Sequence, residues 1–184
     1  MKHLLHLLLV LLVASACEKK HENEIDKLPP ATQAGKMKIG ALVNGKAWVP
    51  NNVGLAGPDV QAWYEYINNP ARQGYFLGIA GSMRTKEHLE GLNMNSNNKV
   101  IEEGKSYVLR SCKDEGEICG AFAIIKGGVI NEYRTDSIHQ GGLHITRFDD
   151  NSQIIAGTFW FDAVNADGEK VEVREGRFDI RFTK

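Results

Sequence analysis

The chain has 184 residues, with 22 Lys and Arg against 23 Asp and Glu and a formal net charge of −1. No stretch concentrates Lys or Arg, which argues against nucleic acid as a partner and against attraction to anionic lipid as a driving force. No run of about 20 apolar residues is present, so a spanning helix is not expected.

The N-terminus carries the first signal. Lys2 supplies positive charge, Leu4 to Val13 is apolar apart from His6, and Ala14, Ser15 and Ala16 are small. A basic start, a short apolar core and a small-residue cleavage site read as a secretory signal. Ala14-Ser15-Ala16-Cys17 resembles the lipobox of bacterial lipoproteins, with Ala14 in the place of the usual leucine. The resemblance implies that the Cys17 thiol receives a diacylglyceryl group and that Cys17 becomes the first residue. Two or more buried acyl chains anchor firmly, because each methylene contributes about 0.8 kcal/mol. Residues 18 to 36, "EKKHENEIDKLPPATQAGK", are polar and carry Pro29-Pro30. Such a segment buries little surface and reads as a flexible tether. The expected organisation is a lipoprotein signal peptide over 1–16, a lipidated Cys17 with its tether over 17–36, and a single β domain over 37–184. The expected localisation is the cell envelope, anchored to the outer membrane, with the periplasmic or surface face left open.

From Met37 the hydrophobic period is two. "MKIGALV" ends at Asn44-Gly45, a hairpin signal because both turn positions need φ > 0, and "KAWV" returns. "VQAWYEYI", "GYFLGIAGS", "EHLEGLNM", "KSYVLRS", "ICGAFAIIK", "VINEYRTD", "LHITRF", "IIAGTFWFDAV" and "KVEVREGRFDIRF" follow, separated by turn residues. The spacing predicts an all-β fold of about ten strands, an antiparallel β-sandwich or a curled meander barrel, with sequential pairing as the default. In the last strand Val171 and Val173 have odd phase, while Phe178, Ile180 and Phe182 have even phase. An extra residue near Glu175-Gly176 reconciles the two, and a tight turn there is the alternative.

Cys112 and Cys119 enclose a polar loop. In an exported chain they read as one structural disulfide at the base of a hairpin, stabilising by roughly 2–3 kcal/mol.

Five elements carry a family resemblance: "LVNGKAWVP" (42–50), "KSYVL" (105–109), "GGLHITRFD" (141–149), "IIAGTFWFDAVN" (154–165) and "EGRFDIRF" (175–182). They resemble a family of uncharacterised Bacteroidetes lipoproteins with a domain of unknown function. The resemblance implies an exported, lipid-anchored β-rich domain and brings no catalytic residues.

Chemistry-bearing motifs are sparse. His88, His139 and His144 show no metal-ligand spacing. "DAVNADGEK" fails as a calcium loop, because Ala163 and Arg174 fall where oxygen ligands are required. Asp149 and Asp150 sit together in a turn. No nucleophile, phosphate-loop or zinc-protease motif occurs, and nothing calls for a cofactor or a metal. These features weigh against an enzyme without deciding it. The candidate ligand-binding residues are Trp63 and Trp160, each on the polar phase of its strand, where an indole face can stack on a sugar or a peptide side chain. Trp48 is assigned to the core. The expectation is a non-catalytic binding or scaffolding module, held to the membrane by its lipid, with a glycan or an envelope protein as partner. The alternatives are a structural or assembly component of an outer-membrane complex, a hydrolase, and a lipocalin-like carrier.

Overall fold

The computed structural model describes residues 23–51 and 58–184. The signal peptide, Cys17 and the first residues of the tether lie outside the described residues.

Among the described residues, eleven strands are joined by turns and loops. They are β1 (Lys38–Val43), β2 (Lys46–Trp48), β3 (Val60–Asn69), β4 (Arg72–Arg84), β5 (Leu89–Asn97), β6 (Ser106–Leu109), β7 (Glu117–Lys126), β8 (Val129–Arg134), β9 (Gly141–Asp149), β10 (Ile154–Val164) and β11 (Lys170–Arg181). All belong to one sheet in the order β2-β1-β11-β10-β9-β6-β7-β5-β4-β3, and β8 pairs with both β7 and β10. The strands β6, β7, β8, β10 and β9 thereby close a ring of hydrogen bonds. The all-β expectation holds.

Between the named strands pairing is antiparallel except for β6 and β7, which run parallel and meet at Leu109 and Ile118. This corrects the hairpin expected at the cysteines. Cys112 and Cys119 do form a disulfide, with Cα atoms 5.3 Å apart. However, their loop joins two parallel strands, and β6 lies between β7 and β9. Parallel strands ordinarily need a crossover of a dozen or more residues. Here the contact is a single residue pair beside the covalent bridge, so so short a connection suffices.

Local rules account for the rest. Asn44 and Gly45 adopt φ of 48° and 77°, the left-handed pair a tight hairpin requires. On β10, Ile155, Phe159, Phe161 and Ala163 are buried, while Thr158 and Trp160 face outward. On β11 the register slips against both neighbours. Gly40 faces Arg177 and Leu42 faces Arg174 on one side, and Phe159 faces Gly176 and Phe161 faces Val173 on the other. Glu175, at φ 53°, is the extra residue. The bulge lets Val171 and Val173 share the interior with Phe178, Ile180 and Phe182.

Residues 23–36, expected as part of a flexible tether, lie against the sheet. Glu24–Lys27 forms a turn of 3-10 helix, and Glu24 accepts a hydrogen bond from the Ala47 backbone N–H at 2.8 Å. Leu28 is buried. The Asp179 carboxylate accepts from the Thr32 hydroxyl at 2.6 Å and from the N–H groups of Ala34 and Gly35 at 3.0 and 2.6 Å. Apart from Leu28 the segment has little apolar surface to bury, and the Asp179 carboxylate holds it through one hydroxyl and two backbone N–H groups.

Candidate functional site

Trp160 stands out on the outer surface of β10, 49% exposed. On one side the neighbouring strand offers Gly142, and a Cβ there would come within 2.8 Å of Trp160 Nε1. The indole therefore lies low over a backbone with no side chain beneath it. On the other side the bulge brings Arg174, Glu175 and Arg177 alongside. The Arg174 guanidinium carbon sits 5.7 Å from the indole centroid, within the range of a cation–π contact. Arg174 also donates to Asp162 at 2.5 Å and to the carbonyls of Phe161 and Val173 at 3.0 and 2.9 Å. Next to it Lys170 donates to Glu172 at 2.7 Å. That bond pushes the lysine up from its ordinary pKa and holds the Glu172 carboxyl below the usual range. Ala31 of the N-terminal segment, Thr158, Phe159, Glu175, Gly176 and Arg177 complete a shallow depression of about 500 Å³ beside the indole. The surface is thus an aromatic plate edged by fixed donors and acceptors whose charges largely compensate.

Trp63 is packed more closely. A Cβ on Gly78, its partner across β3 and β4, would fall 2.0 Å from the indole ring. Its backbone meets Thr183, beyond the end of β11. Trp160 lies beside the bulge in the middle of β11, so the two tryptophans do not share a site. Both do serve the same structural purpose, an indole laid over a glycine of the adjacent strand. Trp48 is in the core, 1% exposed.

The histidines are each accounted for locally. His88 Nε2 contacts Glu90 at 2.7 Å, and His139 Nδ1 contacts Asp136 at 3.2 Å. The N–H of His139 and that of Ile138 hold the Asp136 carboxyl below its usual range. His144 Nδ1 lies 3.0 Å from Ser106 Oγ, a cross-strand contact between β9 and β6. Among the described residues no carboxylate orients the other His144 nitrogen, so this pair lacks the third member that aligns a base with its nucleophile. Asp149 accepts from the N–H groups of Asn151 and Ser152, from the Ser152 hydroxyl and from Arg147. These bonds, the Ser152 N–H first, hold it far below the usual carboxylate range. Asp150 pairs with Lys184 at 2.8 Å. The turn after β10 is stapled by Asn165, whose side-chain oxygen accepts from the N–H groups of Asp167 and Glu169. Among the described residues no three His, Cys, Asp or Glu side chains converge as metal ligands.

A comparison of the chain with family models, with curated proteins and with solved structures found no match to any.

Proposed function

We propose that the chain is a non-catalytic binding module of a bacterial cell envelope, lipid-anchored through Cys17 to the outer membrane, with Trp160 at the centre of a glycan-binding surface. The anchor rests on the signal-like N-terminus, the lipobox-like Ala14-Ser15-Ala16-Cys17 and the resemblance to the Bacteroidetes lipoproteins. The observation that carries the binding role is the half-exposed indole of Trp160 beside Arg174, Glu175 and Arg177. A pyranose presents C–H groups on its faces and hydroxyls around its edge. An aromatic plate rimmed by charge-balanced donors and acceptors matches both parts.

A second reading, an assembly component, has its own support in Val129 and Ile130 on β8, which are 71% and 64% exposed. They stand at the tip of the β7–β8 hairpin, where they offer apolar surface to a protein partner.

The test is retention on immobilised envelope polysaccharide with acrylamide quenching of fluorescence. Trp160→Ala should abolish retention, Trp63→Phe should leave it intact, and glycan should protect Trp160 from quencher. Retention that survives Trp160→Ala refutes the glycan role and directs attention to β8. Separately, Cys17→Ser should release the protein from the membrane fraction.

A further inference from the structure

A cleft of about 620 Å³ opens between the β1–β2 hairpin, the facing ends of β4, β5 and β7, part of β8, and the start of β11. Its apolar lining is Val43, Trp48, Met83, Phe122, Ile124 and Val171. The volume falls within the range of small-molecule sites, about 300–1,000 Å³. It is separate from Trp160, which contributes nothing to its wall.

Two observations point to a ligand. The first is Trp48, which lines the cleft at 1% exposure while its Nε1 makes no hydrogen bond among the described residues. Buried indole N–H groups ordinarily find an acceptor. The second is the state of the rim charges. Glu90 is engaged by His88 at 2.7 Å. Glu169 accepts from the Tyr133 hydroxyl at 3.1 Å and from Asn165 at 2.8 Å. Lys170 is held by Glu172 at 2.7 Å. Lys46, like Glu169, forms no ion pair among the described residues, and the Glu24 carboxylate attracts it. Lys46 and Trp48 are alternate residues of β2 and share one face of that strand. Lys46, exposed at the rim, and Trp48, the buried residue whose indole N–H lacks a partner, therefore belong to the same wall.

We propose that this cleft binds a small anionic amphiphile of the fatty-acid class. The acyl body lies on Trp48, Met83 and Phe122, and the carboxylate is drawn by Lys46 and by the indole N–H. One oxygen of Glu90 is taken by His88 and one oxygen of Glu169 by Tyr133 and Asn165, which leaves Lys46 as the rim charge set on the same strand face as Trp48.

The experiment uses the full-length chain carrying Trp63→Phe and Trp160→Phe, so that Trp48 alone reports by fluorescence. Dodecanoate, dodecanol and dodecyltrimethylammonium are titrated below their micelle-forming concentrations. The expected result is a saturable shift with dodecanoate and a much weaker one with the ammonium compound. Lys46→Gln should weaken dodecanoate by roughly twofold to fivefold and leave dodecanol unchanged, as loss of an exposed charge contact does. Ile124→Arg should abolish all three. Absence of saturable dodecanoate binding, equal binding of anion and cation, no loss in Lys46→Gln, or retained binding in Ile124→Arg each overturns the assignment.

Discussion

Asp179 shows how much a single side chain can carry. It is 1% exposed, yet its neighbours in "RFDIRF" give it the outward phase of β11. Burial pushes its carboxyl up, but the hydrogen bonds from Thr32 and from the N–H groups of Ala34, Gly35 and Lys36 outweigh that and hold it below its ordinary value. A carboxyl depressed in the folded state contributes stability that is present above its unfolded pKa of about 3.9 and is lost as pH falls through the folded value. Asp179→Asn should therefore cost about 1.5–3 kcal/mol in urea denaturation at pH 7, the usual range for hydrogen bonds to a charged group. The gap between variant and wild type should narrow below about pH 4. A gap that stays constant from pH 7 to pH 3 would show that the charge has no part in holding the segment. The sequence concealed this contact for a physical reason. Periodicity registers apolar burial, whereas the segment 32–35 is held by the Thr32 hydroxyl and by backbone N–H groups, which every residue but proline possesses. Trp160, by contrast, was legible, because its polar phase on β10 is a property of the strand alone.

At the scale of the element, the bulge in β11 was readable from two sets of buried positions out of phase, and Glu175 is where the mismatch is absorbed. A non-glycine residue with left-handed φ costs about 1–2 kcal/mol per residue, and glycine there costs about 0.5–1 kcal/mol of additional chain entropy. Glu175→Gly should thus raise stability by about 0.5–1 kcal/mol, read as a higher urea midpoint at unchanged slope. Gly176→Ala should do the opposite, because a Cβ there would come within 2.5 Å of the Phe159 ring and 2.6 Å of its carbonyl oxygen. Glu175→Gly lowering the midpoint would mean that the extra residue sits elsewhere. The parallel course of β6 and β7 could not be read in the same way. Strand direction leaves no trace in alternation, and the loop from Cys112 to Cys119 has the length and polarity of a hairpin. The cleft escaped sequence reading for a related reason, as its walls come from several separate strands and no local pattern joins them.

At the scale of the molecule, closure decides which edges are left to solvent. Beyond the ring through β6 and β8, the chain past β11 reaches β3. Tyr64 N–H donates to the Thr183 carbonyl at 2.9 Å, and Thr183 N–H donates to Ala62 at 3.0 Å. Phe182, one residue earlier, is buried and stacks on Phe148 at 5.5 Å between centroids, while Tyr64 meets both rings edge-on. Two backbone bonds and an aromatic cluster thus cover one edge of β3, which would otherwise present unpaired N–H and C=O groups to a second chain. A chain ending at Phe182 keeps the aromatic cluster and loses the two bonds. Its global stability should fall by only about 1–2 kcal/mol, the net contribution of two ordinary hydrogen bonds. Its amide exchange should change selectively, with Tyr64 N–H exchanging much faster while the β10–β11 amides stay protected, since local opening need not spread to a cooperative unit packed elsewhere. Exposure of the β3 edge should also raise concentration-dependent association, measurable by light scattering. If Tyr64 kept its protection after truncation, the edge would be held by the packing of Phe182 alone. If protection were lost across β10 and β11 as well, Thr183 would be part of the cooperative core of the sheet.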